Sequence, residues 1–142
     1  MELDRRNLLG VLAGLVAAGS SLPAAELQSV LYDPRDVRTE KHPFGALRIY
    51  CDGSTSGLKS LVIGSIVLNL GEQPHPPHTH PEEEILLVTE GTGQISLKGN
   101  ASAAEPGALM YAAPNDLHGI RNTGAAPLTF YFIKWIAAGA PR

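Results

Sequence analysis

Residues His75 to Glu84 read HPPHTHPEEE, so three of the chain's five histidines and three consecutive glutamates fall within ten positions. Imidazole nitrogens and carboxylate oxygens together suit divalent iron, manganese, nickel, copper or zinc. Side chains alternate along a strand, so His78 and His80 point the same way, and Glu84 joins them if the strand runs on past Pro81 with little distortion. Glu82 shares that parity and competes for the carboxylate position. His118, in APNDLHGIRN, lies far downstream, and a sheet folded onto itself would bring it beside the first group. Three imidazoles and one carboxylate around a metal that accepts five or six donors leave positions for water, oxygen or substrate. The contrary reading is a polar loop and one unrelated histidine. His75 precedes Pro76 and Pro77, where the chain is stiff, and is read as a non-ligand.

Further candidates for a pocket are Arg48, Tyr50, Tyr111, Asn115, Asn122 and Lys134, none of which is assigned a catalytic role. Asn122 is better placed to hold the turn after His118 by local hydrogen bonds than to touch substrate. There is no glycine-rich phosphate loop and no serine or cysteine nucleophile motif, so covalent catalysis is not expected. Cys51, the only cysteine, excludes an intrachain disulfide and reads as a small buried apolar residue.

The elements that must position these residues are short. The runs ALRIY, LKSLVIGSIVLNL, EILLV, QISLK, ALMYAA and PLTFYFIKWIA are rich in β-branched and aromatic residues and are separated by turns such as DGSTSG and TEGTG. Fifteen glycines and eleven prolines in 142 residues punctuate the chain in the same way. Short strands at regular intervals without a helical period predict a single all-β domain, a sandwich or small barrel. In the last run Phe130, Phe132, Lys134 and Ile136 share one face and Tyr131, Ile133 and Trp135 the other. Both faces are mostly apolar, so the strand should be covered on both sides, by a second sheet or by another subunit. Lys134 fits either a pocket or a snorkelling surface position.

Eleven Lys and Arg against fourteen Asp and Glu give a net charge of -3, without a basic run, so nucleic acid is not an expected partner. Residues 1–25 combine Arg5 and Arg6 with an apolar stretch from Leu8 to Ala18 and small residues near Ala24, the pattern of a signal peptide. The apolar stretch is about a dozen residues, short of the roughly 20 that span a bilayer. The segment DRRNLL resembles the twin-arginine type of leader, with Asp4 where serine or threonine is usual. The protein is therefore expected to be exported, periplasmic or extracellular, without stable membrane insertion once the leader is cleaved. Residues 26–45, interrupted by Pro34 and Pro43, read as an N-terminal arm, and residues 46–138 as the barrel domain.

With the two motifs set out, a family resemblance follows. GEQPHPPHTHPEEEILLVTEG resembles the first motif of the cupins, with Gly71, His78, His80, Glu84 and Gly91 at its positions. GALMYAAPNDLHGIRN resembles the second, with Gly107, His118 and Asn122. Gly71 stands one residue too far upstream, Ala113 falls where proline is usual, and Asn115 replaces a turn glycine, a mild change because Asn tolerates a left-handed backbone. The resemblance implies a cupin jelly-roll β-barrel of six or more strands, with the metal held inside by His78, His80, Glu84 and His118. It favours Glu84 over Glu82, and leaves Glu82 and Glu83 as solvated charges near the mouth. Homodimers are common in that family, whose members include dioxygenases, isomerases, decarboxylases, lyases and binding proteins. The leading expectation is one divalent transition metal acting on a small organic substrate, by oxygenase, isomerase or lyase chemistry, with a dioxygenase foremost. The alternative is a non-catalytic binder of a small ligand or of metal.

Overall fold

The structure, a computed structural model, describes residues 25–140. The expected leader therefore lies almost wholly outside the described residues. Nine strands form and no helix appears among the described residues: β1 (Thr39–His42), β2 (Gly45–Gly53), β3 (Leu58–Leu68), β4 (Glu83–Glu90), β5 (Gly93–Leu97), β6 (Asn100–Ala104), β7 (Leu109–Ala112), β8 (His118–Arg121) and β9 (Leu128–Ala137). They pair antiparallel in two sheets, one of six strands in the order β1-β2-β3-β9-β4-β7 and one of three in the order β6-β5-β8. The two sheets enclose one core, the arrangement of a jelly-roll barrel. No described helix is long and apolar enough to cross a membrane.

Alternation of side chains builds that core. Along β4, Glu84, Leu86 and Val88 are buried and their neighbours are not, and along β9 Leu128, Phe130, Phe132 and Lys134 turn inward. Leu47 and Ile66, paired across β2 and β3, join them, and Ile95 and Ile120 contribute from the smaller sheet. Gly64 is required where it stands, because a Cβ there would lie 2.4 Å from Phe132 Cζ and 2.7 Å from the Arg48 carbonyl. Gly91 (φ 76°) makes the tight connection from β4 to β5. Asn115 adopts a left-handed conformation (φ 65°), as its replacement of a turn glycine requires.

Three strands lie outside the six runs read as strands from sequence: β1, β6 and β8. β1 falls in the stretch read as an arm and pairs with β2, and the arm's earlier part touches the barrel where Leu27 N–H donates to the Ser54 carbonyl at 2.8 Å. The last strand is covered on one face only: Phe130, Phe132 and Lys134 are buried, whereas Tyr131 is exposed and Ile133 and Trp135 are half-buried. Ile133 pairs with Ile63 on one side and Ile85 on the other, and Ile85 with Tyr111, so an apolar row crosses the outer face of four strands.

Candidate metal centre

The first requirement is that separate elements bring four donor groups to one place. Glu84, the second residue of β4, points inward because of its parity with Leu86 and Val88. His118 opens β8 on the other sheet. His78 and His80 do not sit on a strand: the chain from 69 to 82 is irregular, and β4 begins only at Glu83. Alternation past Pro81 therefore fails as the reason for their convergence. Backbone hydrogen bonds replace it. His78 N–H donates to the His118 carbonyl at 2.9 Å, His118 N–H returns one to the His78 carbonyl at 3.0 Å, and Asn115 N–H donates to the His80 carbonyl at 2.8 Å. The ligand loop is thus strapped along the segment that leads into β8.

One ligand atom from each of His78, His80, Glu84 and His118 falls in a group whose members all lie within 4.8 Å of one another. The three rings stand nearly edge to face, with centroids 4.7 to 5.1 Å apart and interplanar angles of 69° to 90°. Glu84 Oε2 lies 2.8 Å from His80 Nε2 and 2.7 Å from His118 Nε2. The other nitrogen of each ring also faces an acceptor: His118 Nδ1 lies 2.8 Å from the Asp116 carbonyl, and His80 Nδ1 lies 3.1 Å from Glu82 Oε2. That last pair is close enough for an ion pair but too poorly aligned for a directed hydrogen bond. Acceptors on both sides of both rings mean that positive charge must sit between the Nε2 atoms and Oε2, as protons or as a cation. With Nδ1 of His118 hydrogen-bonded to the Asp116 carbonyl and Nδ1 of His80 turned toward the Glu82 carboxylate, each Nε2 is directed to the shared point, the arrangement by which neighbouring carbonyls and carboxylates orient metal-bound imidazoles. The donor set fits a divalent transition metal.

The metal-free electrostatics agree. Burial alone would lower the His80 pKa, but Glu82 and Glu84 outweigh it and raise it to about 9. Burial and the neighbouring rings of His75, His80 and His118 lower His78 to about 3. For Glu84, burial works against ionisation, yet the contacts with His118 and His80 bring its pKa down to about 2. Glu82 is held below the usual carboxylate range by the His80 ring.

Compared with known protein families, residues 64–134, half of the chain, match the Cupin_2 family, the cupin domain. The chain belongs to the cupin domain family. Among solved structures, the cupin is similar to an RmlC-like cupin from Shewanella frigidimarina (16% identity over 83% of this chain and 97% of that chain, TM-score 0.64). It is similar also to a predicted oxalate decarboxylase from Thermotoga maritima (16% identity, 75% and 99% covered, TM-score 0.61). A third similar structure is the polyketide cyclase RemF from Streptomyces resistomycificus (19% identity, 76% and 80% covered, TM-score 0.61). At these identities the shared property is the barrel. No curated protein matches the cupin's sequence.

Beside the four donors the cupin has a cavity of about 30 Å³, lined by the four and by His75, Lys134 and apolar side chains that include Phe130 and Phe132. That is room for roughly two water-sized groups. His75 stacks on His78 with centroids 3.7 Å apart, so it packs against a donor ring from the cavity wall. Of the six further pocket candidates, only Lys134 lines this cavity. Tyr111 lies on the outer face and donates through its hydroxyl to Glu83 Oε1 at 2.7 Å, and Arg48 donates to Thr39 Oγ1 at 2.8 Å. Tyr50 lies against Tyr32 and Tyr131. Asn122 is fully buried and serves the turn as expected: Nδ2 donates to the Leu68, Asn69 and Ala126 carbonyls and Oδ1 accepts from Gly124 N–H.

Three expectations need correction. Glu82 is not a solvated charge: it is 5% exposed and stands behind His80, because the chain entering β4 turns both Glu82 and Glu84 inward. Glu83, also expected to be solvated, is half-buried and held by the Tyr111 hydroxyl. Cys51 is half-buried rather than buried, and partial burial raises its thiol pKa, which leaves it a poor nucleophile. The parity shared by Glu82 and Glu84 was the signal that could have placed Glu82 inside.

Proposed function

We propose that this cupin holds one divalent transition metal through His78, His80, Glu84 and His118 and acts on a small organic substrate at that ion. The observation that carries the reading is the convergence of four ligand atoms within 4.8 Å, with Nδ1 of His80 and His118 facing acceptors on the far side of each ring. A bound metal would supply Lewis acidity or oxygen activation at coordination positions that the four residues leave open. The protein's own contribution is orientation: Asp116 and Glu82 set the two rings, and β4 sets the Glu84 carboxylate. A Glu84 carboxylate released from the ion would be placed to act as a base. Phe130 and Phe132 limit water beside the donors. Oxygenase chemistry of the dioxygenase type is the leading form, ahead of isomerase or lyase chemistry. The leader-like residues 1–25 support an exported protein, periplasmic or extracellular.

A second reading, a non-catalytic binder of metal or of a small ligand, is favoured by one specific observation, the small volume of the cavity.

The test is metal content by plasma mass spectrometry on protein purified from its own compartment, with His80→Ala and His118→Ala alongside. About one metal per chain is expected, with most of it lost in both variants and the β fold retained by circular dichroism. Full occupancy in both variants would overturn the ligand assignment. Stoichiometric metal that leaves no exchangeable coordination position would favour the binder.

A further inference from the structure

His118 and His80 each have an acceptor behind the ring, the Asp116 carbonyl at 2.8 Å and Glu82 Oε2 at 3.1 Å. The third donor ring, His78, is held differently. No described residue gives its ring nitrogens a hydrogen bond, and what lies against it is the flat face of His75, with centroids 3.7 Å apart and planes 27° from parallel. The edges of His80 and His118 meet it with centroids 5.0 and 5.1 Å away. An imidazole whose second nitrogen is untethered can turn about its Cβ–Cγ bond, and turning carries the donor atom away from the point where the four groups converge. A ring lying on its face blocks that turn.

The chain between the two rings makes the stack rigid. His75 and His78 are separated by Pro76 and Pro77, whose fixed φ leaves the backbone little freedom as it bends through residues 74–77. His75 Nδ1 donates to the Pro76 carbonyl at 2.8 Å, which pins the stacking ring to the backbone that carries it. Pro77 in turn lies close against β8, where a Cβ at Gly119 would stand 3.1 Å from Pro77 Cα. The reciprocal backbone bonds between His78 and His118 complete the frame. His75 is therefore fixed to the same frame as the ring it covers, while remaining outside the group of converging ligand atoms.

We infer that His75 is a positioning residue of the metal centre: its ring face sets the orientation of the His78 imidazole, the task that a carbonyl or a carboxylate performs for the other two rings. The inference rests on the metal-centre reading. The contribution of His75 comes from the flat shape of its ring and not from its nitrogens. Phenylalanine can therefore take its place, and an aliphatic residue of similar size cannot.

The experiment uses the full chain loaded with cobalt(II), with His75→Phe and His75→Leu beside the wild type. Affinity is read by chelator competition and donor geometry by the visible spectrum of the bound cobalt. His75→Phe keeps an aromatic face, so it should bind within about threefold of wild type with the same spectrum. His75→Leu should lose about tenfold or more, as when a group behind a ligand imidazole is removed, and its visible band should change at saturating cobalt. His75→Phe binding about tenfold or more below wild type would overturn the inference whatever His75→Leu does, because a nitrogen of His75 would then be what the ion requires. So would His75→Leu binding within about twofold of wild type with an unchanged spectrum, since His78 would then be held without the stack. In either case, cobalt uptake by the wild type leaves the metal centre standing. A wild type that takes up no cobalt removes the metal centre and this inference with it.

Discussion

His80 lies between two carboxylates, with Nδ1 toward Glu82 and Nε2 toward Glu84. In the metal-free protein this raises its pKa from an ordinary value near 6.5 to about 9. Its charged form therefore stabilises the fold fully below about pH 6.5, and that contribution is lost as pH rises through 9. His78 works the other way: with its pKa lowered to about 3, the fold resists its protonation, and stability declines as pH falls below 6.5. Metal-free protein should therefore unfold at progressively lower denaturant concentration from pH 6.5 to 9. Glu82→Gln should flatten that decline, since it removes one of the two carboxylates that hold the proton. The same substitution should weaken metal binding by about 10- to 100-fold in a chelator competition, the usual cost of losing a carboxylate behind a ligand imidazole. A midpoint independent of pH over this window, or unchanged metal affinity in Glu82→Gln, would contradict the role given to Glu82.

The decisive element is the irregular stretch 69–82, which carries two donors without regular secondary structure. Its entry is tied by Asn122, whose side chain donates to the Leu68 and Asn69 carbonyls, and by Gly71 N–H donating to the Asn122 carbonyl. Its far end is tied by the reciprocal His78 and His118 backbone bonds. Asn122→Ala would leave buried carbonyls unsatisfied at a cost of about 1–3 kcal/mol per group, so a loss on the order of 3 kcal/mol is expected in chemical denaturation. Metal affinity should fall with it, because the loop loses its anchor. Stability within about 0.5 kcal/mol of wild type would show that the anchor lies elsewhere. Two of the three strands that escape a reading of the sequence have a common cause. NASAA and HGIR are short, and their Asn, Ala, Ser and Gly residues have little intrinsic preference for strand, so β6 and β8 exist because β5 pairs with both.

At the scale of the molecule, one sheet face remains to be covered. Ile63, Ile133 and Ile85 form a row on the outside of the six-stranded sheet that ends at Tyr111, and Tyr131, Leu87 and Leu109 form a second. Contiguous apolar surface of this kind marks association, and a closed symmetric pair of identical faces is its simplest form. We infer a homodimer through this face. Sedimentation equilibrium should show two chains per particle, and Ile133→Glu should weaken dimerisation at least tenfold while leaving metal content unchanged. A wild type that stays monomeric at 100 micromolar, or about that concentration, would overturn this interface. In the single chain β9 is buried on one face only, so the expectation of a second covered face stands or falls with the homodimer proposal.

Several features were determined by the sequence alone. β-Branched runs between turn residues specified a single all-β domain, a sandwich or small barrel, because alternation and turn chemistry are local properties. The types and spacings of His78, His80 and His118, with the family resemblance choosing Glu84 over Glu82, named a candidate donor set, because donor chemistry belongs to the side chain. Tertiary structure decided the remainder. It placed the histidine pair on a strapped loop rather than a strand, turned Glu82 inward behind His80, assigned Lys134 to the cavity and removed Tyr50 and Tyr111 from it. Each of these depends on which strand lies beside which and in what register. In a barrel, that is set by the closure of two sheets over a common core and not by any one stretch of chain.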